Sequence, residues 1–194
     1  MTPVSKVMTG SSWITSLTLA AVLGIALPSA SASANANEFR SGPVIQGYGE
    51  VANRVKQTYP IPKDQHFKVV FDLAAQSEEG KINRTIDSLA RFINMHAAAG
   101  VDPNNIQLAL VVHGKAVFDV LSDDAHFKKL ARGNAQAKLL KALMDNGVRV
   151  MVCGQTAAYL GVDNNMLLPG VEMSLSAMSA HAILAQQGYS QNPF

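Results

Sequence analysis

The 194-residue chain holds one cysteine, Cys153, so it can form no internal disulfide and run no CxxC dithiol chemistry. The thiol is then a buried small hydrophobe, a free reactive group, or half of a bond to another molecule. Charge is also scarce in any one sign, with 16 Lys and Arg against 14 Asp and Glu. No basic stripe interleaves with aromatic residues, and phosphate binding needs clustered positive charge, so nucleic acid is not an expected partner. No histidine pair shows the i, i+4 or short-loop spacing of a metal site, so no metal is expected. No glycine-rich fingerprint follows the first apolar run, where Ala74-Ala75-Gln76-Ser77 stands instead. A dinucleotide or flavin cofactor is therefore not expected either.

What is present begins with a leader. Trp13 to Leu27 is almost continuously apolar, preceded by Lys6 and followed by the small-x-small sites Ala30-Ser31-Ala32, Ala32-Ser33-Ala34 and Ala34-Asn35-Ala36. Its roughly 15 residues fall short of the roughly 20 that span hydrocarbon as a helix, so residues 1–36 read as a signal peptide cleaved near 32–36. No Arg-Arg pair precedes the run, which points to the general export route. The mature chain is expected to be periplasmic or secreted, with no stable membrane insertion after cleavage.

Residues 37–66 are rich in Gly, Pro and polar side chains and read as an extended N-terminal arm with one helical turn near Val51 to Val55. The arm packs either on its own domain or on a neighbouring subunit. From residue 67 to 194 the pattern is that of one domain. The run Phe67–Leu73 reads as a first strand. A helix over Glu78 to Ala99 follows, with Ile82, Ile86, Leu89 and Ile93 at helical spacing, Ser77 at its start and Gly100 at its end. Ile106 to Val112 reads as a second buried strand ending at His113-Gly114. Short helical pieces lead to a helix capped by Asn134, and Val148 to Val152 forms a third strand delivering Cys153. Val171 to Leu175 and Ser176 to Gln187 give a fourth strand and a last helix. Strands alternating with helices predict an α/β fold with a mainly parallel sheet covered by helices on both faces.

In such sheets ligands bind beyond the carboxyl ends of the strands, where both His113 and Cys153 fall. A thiol between a strand and the start of a helix faces unpaired backbone N–H groups that favour thiolate. A neighbouring imidazole either stabilises that thiolate or takes its proton. The plain readings are a packed cysteine and a histidine bonded to a loop carbonyl. A cysteine–histidine hydrolase lacks support, since no third orienting residue or oxyanion-hole signature is evident. His96 and His181, each within a helix, read as surface or satisfied residues.

Val111-Val112-His113-Gly114, the segment Gly147 to Thr156 around Cys153-Gly154, Leu168-Pro169-Gly170-Val171 and the tail Gln187-Gly188-Tyr189 together resemble the DsrE/DsrF-like family of sulfur-relay proteins. The resemblance runs from Phe67 to Tyr189. It implies a flavodoxin-like three-layer fold that assembles as a homo-oligomer, trimer or hexamer, and a cysteine that accepts sulfane sulfur as a persulfide and passes it on. Cys153 matches the family's active cysteine, and His113 matches the histidine-glycine end of an earlier strand. The best-known relay members are intracellular, whereas this leader points outward, and neither sulfur donor nor acceptor can be read from the chain.

Persulfide transfer suits a lone thiol, because no second thiol in the subunit would discharge the carried sulfur as a disulfide. The expectation is an exported sulfur carrier acting through Cys153, with His113 as a second candidate site residue. The alternative is a non-catalytic oligomeric module that binds a small ligand and merely packs Cys153.

Overall fold

The computed structural model describes residues 39–52 and 55–193, and the expected leader lies outside them. Two short strands, β1 (Phe39–Arg40) and β2 (Val51–Ala52), pair antiparallel. The main sheet contains β3 (Phe67–Leu73), β4 (Ile106–Val112), β5 (Arg149–Cys153), β6 (Glu172–Ser174) and β7 (Ser190–Gln191). Its order is β6-β5-β4-β3-β7, and every adjacent pair is parallel. Leu108 to Val112 is buried without interruption, the signature of a parallel strand covered on both faces.

Five helices cover the sheet among the described residues: α1 (Arg84–Ala98), α2 (Asp123–Leu130), α3 (Ala137–Asp145), α4 (Gly154–Tyr159) and α5 (Ala177–Gln186). On one face Phe71, Leu110 and Val152 pack with Ile86 and Leu89 of α1, Leu139 and Leu143 of α3, and Ala157 of α4. Each of these Phe, Leu, Ile and Val side chains stabilises the fold by about 1.5–3 kcal/mol. On the opposite face Val70, Ala109, Val111 and Met151 lie under Ala180 and Leu184 of α5. The chain therefore leaves β5 toward one face and β6 toward the other, and the winding reverses between those two strands. A ligand-binding crevice is expected at such a reversal. Among the described residues no helix is long and apolar enough to cross a membrane.

Several boundaries differ from the sequence expectation for identifiable reasons. Helix α1 begins at Arg84, not near Glu78, because Asn83 is its cap and accepts from the Thr85 N–H at 3.0 Å. Ser77 is held elsewhere: its N–H and hydroxyl donate to the buried Asp119 carboxylate at 2.9 and 2.8 Å. Asn134 stands three positions before α3 and tethers the turn, its amide donating to the carbonyls of Asp119 and Leu121. The helical turn expected near Val51 to Val55 is replaced at its start by β2, and residues 53–54 lie outside the described residues. Strand β7 had no counterpart in the sequence reading.

The described part of the N-terminal arm packs on its own domain. Asn94 of α1, fully buried, accepts from the N–H groups of Val44 and Ile45 and donates to the carbonyls of Ile45, Tyr48 and Gly49. Gly49 sits so close to α1 that a β-carbon there would lie 2.3 Å from the Arg91 nitrogen. Only glycine fits that approach.

Candidate functional site

Cys153 is the last residue of β5 and immediately precedes α4. It lies opposite Ser174, the last residue of β6, at the reversal in winding. The short strand β6 is held there by a two-pronged ion pair, with Arg149 donating to Glu172 at 3.0 and 2.9 Å. The Ser174 hydroxyl also donates to the Val152 carbonyl at 2.9 Å.

The groups that bear on the sulfur come from both helices leaving this edge. Burial pushes the Cys153 thiol up, but the Thr156 hydroxyl and the main-chain N–H groups of Thr156, Ala177 and Gln155 outweigh it. The net result is a thiol below its ordinary value. Cys153 makes no side-chain capping hydrogen bond to α4, and N–H and O–H donors near a sulfur favour its ionised form. The residue is only 6% exposed. On the elements that flank it, Tyr159 ends α4, Leu175 follows β6 and Met178 lies in the first turn of α5, and these are 89, 75 and 80% exposed.

His113 stands beside Cys153 by register. Val112 pairs with Val152, and the His113 backbone remains extended, its N–H donating to the Leu73 carbonyl at 2.9 Å. One strand spacing, about 5 Å, therefore separates the two backbones. The imidazole turns the other way, however, with Nε2 3.0 Å from Asp72 Oδ2. His181 of α5 reaches the same carboxylate, its Nε2 2.8 Å from Oδ1. Burial pushes the Asp72 carboxyl up, and the hydrogen bonds and charges of His113 and His181 outweigh it, leaving it below the usual carboxylate range.

Sequence reasoning singled out Cys153 and His113, passed over Asp72 and took His181 as unremarkable; the structure sets Asp72 between the two imidazoles. The available signal for Asp72 was a carboxylate one residue before the end of a strand that is apolar from Val69 to Phe71. By contrast, His96 is a satisfied core residue, buried with Nδ1 2.7 Å from the Phe92 carbonyl. Among the described residues no cluster has metal-ligand geometry.

Residues 68–191 match the DsrE/DsrF-like family. Among solved structures, a protein of unknown function from Methanobacterium thermoautotrophicum, MTH1491, is 18% identical with a TM-score of 0.50, over 65% of this chain and 97% of that one. The YchN protein of E. coli is 19% identical with a TM-score of 0.46, over 64% of this chain and 97% of that one. The first of these likenesses supports the α/β fold. No curated protein matches the chain.

Proposed function

The chain belongs to the DsrE/DsrF-like family, which is linked to sulfur relay, and from that premise we propose that it is a sulfur carrier working through a persulfide on Cys153. The observation that carries the reading is the set of donors around the sulfur: Thr156, Ala177 and Gln155 favour thiolate at the edge where such sheets bind ligands. Thiolate attacks a sulfane sulfur, and the resulting S–S bond is later attacked by an acceptor thiol. The proposal includes export of the mature chain to the periplasm or outside the cell, and assembly as a trimer or hexamer. Its sulfur donor and acceptor are small sulfur compounds or proteins that present a sulfane sulfur or a thiol.

The test is intact mass after exposure to thiosulfate or polysulfide. The wild type gains sulfur that reductant removes, and the Cys153→Ser protein does not. Equal uptake by both removes the proposal.

One observation favours the second reading, a ligand-binding module with a packed cysteine: Cys153 is 6% exposed in the single chain. The two readings separate on iodoacetamide labelling of the folded protein. A carrier thiol alkylates at neutral pH, whereas a packed one reacts only on unfolding.

A further inference from the structure

We infer that Asp72, His113 and His181 form a proton-handling cluster that serves the thiol collecting sulfur from Cys153, with Asp72 as the positioning residue and the imidazoles as the bases. The inference rests on the sulfur-carrier reading. An ionised carboxylate only accepts hydrogen bonds, so both Nε2 atoms at Asp72 carry hydrogen. A ring held in that tautomer, once its second proton is gone, carries a lone pair on Nδ1. The described residues give neither Nδ1 a partner.

The cluster and the sulfur share one face and one edge of the sheet. Asp72 pairs in register with Val111 and Val111 with Met151, so Asp72, His113 and Cys153 all project toward the α5 side, where Val111 and Met151 pack. Ala177, whose N–H acts on the sulfur, lies one helical turn before His181, and residues four apart share a helix face. Three charged groups flanking the sheet are tied to other partners. Lys68 donates to the Gln187 carbonyl at 3.2 Å, and Arg149 and Glu172 are paired with each other. Helix α5 carries no titratable side chain besides His181. The two imidazoles, joined through Asp72, are the bases we assign at this edge.

The step balances without an oxidant. An incoming thiol R–SH gives its proton to an imidazole Nδ1, and its sulfur attacks the outer sulfur of Cys153–S–SH. The S–S bond at Cys153 breaks as R–S–SH forms, and Cys153 leaves as thiolate among its N–H donors. The imidazole then releases its proton to solvent. Sulfane sulfur changes hands with no net oxidation.

The test loads Cys153 with a methylthio group, whose outer sulfur stands in for that of the persulfide, and follows its removal by 2-mercaptoethanol through intact mass across pH. Near neutral pH the wild type should discharge about a hundredfold faster than Asp72→Asn and than the His113→Gln/His181→Gln double variant. The gap should close at alkaline pH, where the added thiol ionises by itself. A gap that is absent, or that stays constant across pH, overturns the inference. Iodoacetamide labelling of the reduced variants should match the wild type, because the thiolate is held by other groups. If labelling falls in step with discharge, the cluster is only a structural tie and the inference fails. Methylthio loading needs no sulfane donor, so failure of the wild type to take up sulfur would remove the carrier reading while leaving this readout intact.

Discussion

Gly154 lies against the Ser174 carbonyl so closely that a β-carbon on it would sit 2.5 Å from that oxygen, with the Leu175 oxygen at 3.3 Å. Both atoms are backbone, so neither can swing aside. The close approach of β5 to the β6–α5 turn is what brings the Ala177 N–H to bear on Cys153.

Gly154→Ala should therefore force this edge apart. Overpacking against fixed backbone is expected to cost about 1–3 kcal/mol in denaturant unfolding. The alkylation profile of Cys153 should also move to higher pH as the Ala177 N–H withdraws. A variant of unchanged stability and unchanged profile would show that the edge is not under this constraint.

Thr156→Val removes the hydroxyl donor to the sulfur while keeping the shape of the side chain and its main-chain N–H. Because the folded thiol is lowered, thiolate is present in the wild type below the free-cysteine value of about 8.5. The variant should need higher pH for the same thiolate fraction, and iodoacetamide labelling near pH 7 should slow by about tenfold. By the same sign, the native state holds this proton less tightly than the unfolded chain. The thiol therefore adds stability above the unfolded value, and that contribution is lost as pH falls through the folded one. An unchanged labelling rate would remove Thr156 from the site.

The mainly apolar runs Phe67–Leu73 and Ile106–Val112 set strands β3 and β4 to the residue, because each holds a continuous buried stretch, Val69–Phe71 and Leu108–Val112, of the kind a parallel strand covered on both faces shows. The position of Cys153 at the end of β5 was legible for the same reason, since such a run meets a glycine turn there. The partnership of Asp72 with His181 was not, since 109 positions separate them and only the long return of α5 over the sheet joins them. Ser77 and Asn83 are both good capping residues by type. The buried Asp119, distant in sequence, decided between them. Strand β7, Ser190–Gln191, carries no apolar pattern at all and exists through pairing with β3 alone.

Asp119 should be a structural acid whose loss is felt in stability. Burial pushes its carboxyl up, against hydrogen bonds from the Ser77 hydroxyl, the Ser77 N–H and the Asn83 amide. Asp119→Ala leaves those donors buried without an acceptor and is expected to cost about 3 kcal/mol. Asp119→Asn keeps one oxygen and should cost about 1 kcal/mol. With the folded value raised, the native state binds this proton more tightly than the unfolded chain, so the wild type loses stability as pH rises through that interval. The stability gap between wild type and Asp119→Asn should accordingly widen as pH falls toward the acid range. Denaturant titrations at several pH values check it, and a gap that narrows on acidification would reverse the assignment.

Helix α5 is apolar on more than its buried side. Ala180 and Leu184 face the sheet, while Met178 and Ile183 are 80 and 53% exposed, beside Leu175 at 75%. The start of this helix adjoins the Cys153 edge through Ala177, and large apolar side chains exposed on a helix are the kind of surface a partner covers. The proposed trimer or hexamer would cover it, and sedimentation or light scattering of the mature chain should give a mass several times that of one subunit. Met178→Glu with Ile183→Glu should then yield a folded monomer, because a charge cannot be buried without a partner. Both side chains point away from the sheet in the single chain, so circular dichroism should be unchanged. A wild type that is already monomeric, or a double variant that keeps the assembled mass, would show that this face is not where copies meet.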